Sequence, residues 1–492
     1  MKILKYISIL FLVLIGTSCQ KSFLEKVPLD SINSSNFFQT ESDAISAING
    51  AYQPLQWPKL YNMRMWTSDI MAGNSNVGAA GGDDGRETQD EANFVTSTDN
   101  PGVLDLWRGP APGILRCNLI LQKVPVMTIN ETLKNRILGE AEFLRANYYF
   151  ILVRYYGDVP LILIPQNPGD DLRPKRTAKD LIYTQIINDL TDAILKLPAR
   201  ETYSGADIGR ASKGSAVALL AKVYLTTGNY SKTADLCEQV KTLGYKLNTQ
   251  YADNFDPTKK NSVESLFEIQ YVGKTTYDFW SNENQSSWLS AYMGPRGSDM
   301  VSAGWGWNQP TQEFVNAYEA GDLRKDVTIL YEGCPKFDGM DYQKSYSTTG
   351  YNVRKFLVTK AMTNNAYDNS PMDFPALRYS DVLLMKAEAL NELGRMTEAE
   401  TALNEVRTRA GLLSVTGLAK DAFREKVLHE RRMELAFEGQ RWFDLIRINN
   451  GQWGLDFLHS IGKVNATTKH LLLPIPQKER DANPNLTQNL GY

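Results

Sequence analysis

The stretch Leu138 to Ile162 reads LGEAEFLRANYYFILVRYYGDVPLI, and its reading decides the fold. Ala141, Leu144, Tyr148, Ile151, Leu152 and Tyr155 recur at helical spacing and give one broad apolar face. Gly157 is placed to end the helix in a left-handed conformation, and Pro160 stops any continuation. The tyrosines and phenylalanines supply more aromatic surface than a small local core needs. The spacing therefore predicts a central packing helix.

Two later stretches show what such a helix packs with. In residues 211–243 and 380–410, Ala221, Tyr224, Gly228, Tyr230, Cys237 and Val240 match Ala387, Leu390, Gly394, Met396, Leu403 and Val406 at one constant spacing. A small residue for close helix approach, a bulky one, a turn glycine and a second apolar stripe make the tetratricopeptide (TPR) pattern. One such unit cannot bury its own faces, so neighbouring helices must complete it. The expected fold class is mostly α: a TPR-type helical solenoid (α-α superhelix) with a loop-rich insert and a few short β-strands. Thr40 with Asp43, and Thr397 with Glu400, are spaced as capping boxes. Thr177 is placed to open a helix carrying Ile182, Ile186, Leu190, Ile194 and Leu197, which Pro198 ends.

Other stretches break the helical pattern. Residues 56–110 are rich in Gly, Asn, Asp, Trp and Met, and AGNSNVGAAGGDDGRETQDE (residues 72–91) predicts no stable helix. GPAPG, from Gly109 to Gly113, predicts a shortened or kinked helix. The long insert between the TPR-like units contains one clear strand, SLFEIQY. The terminal HLLLPIPQKERDANPNLTQNLGY is expected to form a strand plus turns.

The central stretch closely resembles the GEA-FLRA-YYF-L---YGDVPL signature of the SusD/RagB family. LHERRMELAFEGQRWFDLIR and the terminal segment resemble the family's ERR-EL-FEG-RW-DL-R and LPIP--E---NP-L-QN-GY signatures. These motifs occur in the family's order and cover the mature chain almost end to end. The resemblance implies an outer-membrane lipoprotein that captures an oligosaccharide, polysaccharide or other nutrient for a SusC-like TonB-dependent transporter. It also implies a ligand site in loops around the TPR scaffold. The expected organisation is a signal peptide (1–18), a lipidated N-terminus and linker (19–40), and an N-terminal SusD-like helical region with the first TPR unit (41–244). A loop-rich aromatic ligand-binding insert (245–375) follows, then a C-terminal region with the second TPR unit and a terminal strand (376–492).

The N-terminus reads as a targeting segment. Lys2 and Lys5 precede an apolar run from Ile7 to Ile15, then the small residues Gly16, Thr17 and Ser18. The run is too short to span a bilayer as a mature helix. GTSC resembles a bacterial lipobox, with Gly16 where Leu is usual, so Cys19 is the expected lipid-attachment residue. A plain secretory signal cut nearby is the alternative. Lipid at Cys19 would anchor an otherwise soluble body. A formal charge of −3 with no dominant basic patch argues against nucleic acid. Cys117, Cys237 and Cys334 are an odd number and form no disulfide framework.

The candidate ligand-binding residues are Trp66, Trp280, Asn282, Trp288, Tyr292, Arg296, Trp305 and Trp307. Their neighbours are Gly, Ser and Asn, so they follow no helical core stripe. Flat aromatic faces stack on the CH-rich faces of sugar rings, and amide or guanidinium groups bond the hydroxyls. The competing reading is that these tryptophans pin long loops to the solenoid. Asp83, Asp84, Glu87, Asp90 and Glu91 do not match EF-hand spacing and read as a solvated acidic loop. The charges from Glu430 to Arg447 read as a structural ion-pair network, because adjacent arginines would keep Glu430 and Glu434 ionised. His429, His459 and His470 sit in no nucleophile constellation. No cofactor and no metal are expected, and the chain reads as non-enzymatic. Two alternatives stay open: a glycan hydrolase using Asp278, Glu283 or Asp299, and a TPR adaptor for protein or peptide.

Overall fold

A computed structural model describes residues 37–78, 84–166, 169–273, 281 and 283–492. Cys19 and the targeting segment lie outside the described residues. The chain opens with α1 (Glu41–Tyr52), where the Asp43 carboxylate accepts from Thr40 N at 2.8 Å and Thr40 Oγ1 accepts from Asp43 N at 3.2 Å, closing the expected capping box. Next come α2 (Thr67–Met71), β1 (Ser75–Gly78) and α3 (Arg86–Ala92). Helix α3 corrects the expectation that residues 72–91 hold no helix. Gly85 takes φ 66° and closes the glycine-rich part, leaving RETQDEA free to coil.

The GPAPG stretch divides α4 (Pro101–Arg108) from α5 (Ala111–Lys123), as its prolines require. The central helix α6 (Glu131–Tyr156) is capped by Asn130 Oδ1, which accepts from Leu133 N at 3.1 Å. It is more enclosed than its apolar stripe foretells: every residue from 139 to 153 is buried. Several of its polar side chains are paired in place. Arg145 bonds Asp189 through Nε and Nη2 at 2.8 and 2.7 Å, and the Tyr148 and Tyr149 hydroxyls donate to Ala51 O and Ile162 O, both at 2.8 Å. Gly157, at φ 69°, ends the helix.

Helix α7 (Lys179–Lys196) follows, with Ile182, Ile186 and Leu190 buried. Thr177 does not cap it. Its backbone pairs with Val159, and the Asp158 carboxylate accepts from Lys179 N at 2.8 Å. The first TPR-like hairpin is α8 (Lys213–Thr226) and α9 (Tyr230–Thr242), turning at Gly228 with φ 76°. The insert contributes β2 (Ser265–Ile269), α10 (Leu289–Met293), β3 (Trp307–Pro310), β4 (Ile329–Leu330), β5 (Asn352–Val353) and β6 (Phe374–Arg378). Three antiparallel pairs form: β1 with β3, β2 with β6, and β4 with β5. The second hairpin is α11 (Tyr379–Glu392) and α12 (Met396–Arg409), turning at Gly394, also at φ 76°. Helix α9 packs on α11, so the two hairpins adjoin across the insert and α6–α7–α8–α9–α11–α12 run as one solenoid.

Two expectations fail in the C-terminal part. Thr397 is not an N-cap: the helix starts one residue earlier, and Glu400 Oε1 accepts instead from Gly417 N at 2.6 Å. After α13 (Lys420–Glu434), α14 (Arg441–Arg447) and α15 (Gln452–Ser460), the chain forms a turn at Thr468–Leu471 and a short α16 (Gln477–Ala482), with no terminal strand. Pro474 and Pro476 remove alternate donors from any ladder. The Gln488 side chain stands in for a neighbouring strand, bonding Ile475 N at 2.7 Å and Ile475 O at 2.8 Å.

The charged C-terminal motif is a buried ion-pair network tying this region to the insert. Arg378 bonds Glu264, Glu434 and Glu438 at 2.6–3.0 Å, and Arg324 bonds Asp322, Glu430 and Glu434 at 2.7–3.1 Å. Arg431 joins Asp381 at 2.8 Å and Asp444 at 2.9 Å. Despite burial, the Arg409, Arg378 and Arg324 guanidiniums hold the Glu434 carboxyl far below the usual carboxylate range, and the Lys222 ammonium with Arg431 does the same for Asp381. Cys117, Cys237 and Cys334 are buried free thiols. Among the described residues, no helix is long and apolar enough to cross a membrane.

Candidate ligand-binding site

The glycine-rich first loop and the long insert meet at the β1–β3 pair, where Gly78 lies opposite Trp307 and Ser75 opposite Pro310. Gly85 packs on the same ring: a Cβ there would stand 2.8 Å from Trp307 Cζ3. Asn62 bridges the two regions a second time. Its amide donates to Ser286 O at 3.0 Å, and its Oδ1 accepts from Trp288 N at 2.8 Å. The loop after α10 folds back on itself, with Trp305 N donating to Ala291 O at 2.8 Å and Gly306 N to Gly294 O at 2.9 Å. Gly304 is required at this crossing, because a Cβ would lie 2.3 Å from Pro295 O.

These constraints bring five of the expected aromatics into one cluster. Trp66 stacks on Trp307 with centroids 5.2 Å apart and planes 7° from parallel. Tyr292 meets Trp66 at 5.4 Å and, edge-on, Trp305 at 5.2 Å; Trp288 meets Trp305 at 5.8 Å. The cluster has two tiers. Trp66, Trp288 and Tyr292 are 3%, 2% and 3% exposed and face other rings, so they serve as the packed base. Trp305 and Trp307 are half-buried and reach the surface. A sixth ring, Tyr367, is 44% exposed and packs edge-on against Trp288 at 5.2 Å. Sequence reading missed Tyr367, although its setting in TNNAYDNSP carries the same Asn- and Asp-rich signal as the residues that were singled out.

Polar groups rim the outer tier. Arg296 is exposed and lies 3.7 Å from the Asp84 carboxylate. Gln309 is buried beneath them and fixes the turn, donating to Gly306 O at 2.7 Å while its Oε1 accepts from Thr348 N at 3.0 Å. Trp280 and Asn282 lie outside the described residues, as does Asp278. The arrangement offers flat ring faces and ionic or amide groups at a surface. That chemistry suits a ligand with one apolar and one hydroxyl-bearing aspect.

The acidic loop is only partly solvated. Glu91 is fully buried, which corrects the reading of a wholly solvated cluster. It lies behind Arg64, whose guanidinium bonds Glu87 at 3.0 Å and Asp105 at 3.1 Å. Burial pushes the Glu91 carboxyl up to about 7. Among the described residues, no group of three or more His, Cys, Asp or Glu side chains is placed to hold a metal. The Asp299 carboxylate accepts from Lys360 Nζ at 2.9 Å, and this bond holds it below the usual carboxylate range, opposite to what a general acid needs.

Comparisons with known proteins identify the family. A family model described as "SusD family" matches residues 243–492, and one described as "Starch-binding associating with outer membrane" matches residues 22–225. SusD-like protein P2 of Formosa agariphila is 28% identical, over 99% of this chain and 100% of its own length. A solved "laminarin binding SusD-like protein" is 28% identical with a TM-score of 0.79, covering 92% of this chain and 100% of that one. Surface glycan-binding protein A of Bacteroides thetaiotaomicron, solved in complex with laminarihexaose, is 25% identical with a TM-score of 0.78, covering 91% of this chain and 99% of that one.

Proposed function

Because this chain belongs to the SusD family, we propose that it is a lipid-anchored outer-membrane protein that binds a glycan on its loop face. The observation that carries this reading is the two-tier aromatic cluster: Trp305, Trp307 and Tyr367 at the surface, held by Trp66, Trp288 and Tyr292 beneath. Sugar CH faces stack on the outer rings, and Arg296 with the neighbouring loop amides takes the hydroxyls. Residues 245–375 act as the ligand-binding insert on the TPR scaffold. Trp280 and Asn282 belong to the same insert and complete the set. The binding of laminarihexaose by a structural relative and the starch-binding description of the matching family model support a glucan as the first ligand to test.

The protein holds the glycan and passes it unchanged to a SusC-like TonB-dependent transporter, with acyl chains on Cys19 keeping it at the membrane. Its role is non-catalytic. The experiment is a calorimetric titration against laminarin, starch and a panel of other oligosaccharides, with each mixture analysed for cleavage products. Saturable binding without products is the expected result. Released sugars would overturn the non-catalytic reading, and failure of every glycan to bind would overturn the glycan assignment.

A further inference from the structure

At the C-terminal end of α6, a cavity of about 640 Å³ opens between α6, the first turn of α7, the α8–α9 turn and α14. Its floor is apolar, built from Val153, Phe443, Ile446 and Leu472. It shares no lining residue with the aromatic cluster. Arg154 enters it from the central helix, its guanidinium 4.0 Å from the Phe150 ring centroid and 3.8 Å from that of Phe443. Arg154 Nε donates to Phe150 O at 3.1 Å. Among the described residues, no carboxylate lies within 4.0 Å of this guanidinium, and its two terminal nitrogens make no hydrogen bond.

That sets Arg154 apart from the network a few residues away. Arg154 is half-buried, as is Arg447, whereas Arg324, Arg378 and Arg431 are fully buried; each of those four others meets at least two carboxylates. Desolvation holds the Arg154 guanidinium below its ordinary pKa. Stacking on ring faces offsets only part of the penalty for a cation without a counter-ion. The cavity around it is also short of negative charge. Lys179 and Asp180 stand at the rim, while Arg447 is neutralised by Glu388 and Asp444. Asn450, held at φ 51°, presents its amide at the same rim. The Thr226 and Thr227 hydroxyls donate to Lys222 O at 2.8 Å and Val223 O at 3.1 Å, which leaves their oxygens able to accept.

We propose that this cavity is a second binding site, for a monosaccharide-sized ligand bearing a carboxylate. The carboxylate sits on the planar fork of Arg154 with the Lys179 ammonium beside it. The body of the ligand lies on Phe443, Ile446 and Leu472, and its hydroxyls reach Asn450, Thr226 and Thr227. The volume falls in the range of small-ligand pockets, roughly 300–1,000 Å³. The site is independent of the aromatic face, so either can fail without the other.

The test is calorimetry on the full mature protein with D-glucuronate, short oligogalacturonates and, as a neutral control, D-glucose. The expected result is saturable binding of a uronate that weakens with salt, and no response to glucose. Free glucuronate binding marks a free sugar acid as the ligand, whereas binding of oligogalacturonate alone marks an acidic residue within a polymer. Arg154→Met keeps the packing between the phenylalanines and should weaken binding at least about tenfold. Lys179→Glu, at an exposed rim position that leaves the core intact, should do the same and decides the matter if the Met variant does not fold. Absence of saturable uronate binding, an equal response to glucose, or affinity unchanged in Lys179→Glu would overturn the proposal.

Discussion

Trp305 and Trp66 are one ring apart in the same cluster, yet they make opposite predictions. Trp305 reaches the surface, so Trp305→Ala should lower affinity for a laminarin oligosaccharide by roughly tenfold, about 1.4 kcal/mol, with the unfolding midpoint near that of the parent. Trp66 is 3% exposed and stacked on Trp307. Its replacement by Ala should destabilise the fold by about 3–5 kcal/mol, seen as a lowered thermal midpoint before any binding is measured. The composition of the loops was enough to find these residues, because aromatics among Gly, Ser and Asn belong to no helical stripe. Which ring faces outward was not legible. It depends on partners hundreds of residues away, such as Gly85 under Trp307, and no local pattern encodes that. Glu91 makes a second prediction at this scale. Its folded pKa, about 7, lies above the ordinary glutamate value of 4.5, so the folded state holds the proton more tightly. Its contribution is most favourable below the unfolded pKa and is lost as pH rises through 7, by up to about 3 kcal/mol. Glu91→Gln should therefore raise the melting temperature relative to the parent at pH 8 and leave it unchanged at pH 4.5.

Helix α6 needs close neighbours along its whole length, and Gly113 on α5 shows how close. A Cβ at Gly113 would stand 2.2 Å from the Tyr148 ring, which is itself fixed by a hydrogen bond to Ala51 O. Gly113→Ala should destabilise by about 1–3 kcal/mol through overpacking, measured by urea unfolding. The stretch that interrupts the helix thus also supplies the contact. Elements were most legible where the signal is local and repeated. The TPR hairpins appear at their matched glycines, and the Thr40 cap forms as spaced. Elements were misread where a tertiary partner outbids the local one. Thr177 gives its backbone to Val159, and Glu400 turns to Gly417, because Gly394 sets the start of α12 one residue before Thr397. The terminal segment opens on a short apolar run, as a buried strand would, but Pro474 and Pro476 leave it too few donors for a ladder.

Across the whole molecule, the ion-pair network binds the insert to the C-terminal helices. Glu264 and Arg378 flank the β2–β6 pair, and Glu434 and Glu438 lie on or just after α13. The insert and the C-terminal region should therefore unfold together, as one calorimetric transition rather than two. Glu434→Gln leaves Arg324, Arg378 and Arg409 short of a shared carboxylate and should cost about 3–5 kcal/mol. The folded pKa values of Glu434 and Asp381 lie below their unfolded ones, so their contribution is present above the ordinary carboxylate range and is lost as pH falls through it. Stability should collapse below about pH 4, and that loss should be smaller in Glu434→Gln than in the parent. The sharing has an evolutionary consequence. Where one carboxylate serves three guanidiniums, a single substitution strands several partners at once, so the effect of any change depends strongly on what else has changed. Such positions can drift only in compensated groups. The outer rings of the loop face take part in no ion pair and stand outside that shared charge network, so selection can exchange them with fewer compensating changes. A rigid, slow-changing frame beneath a readily altered surface lets one architecture be re-aimed at new ligands without being rebuilt.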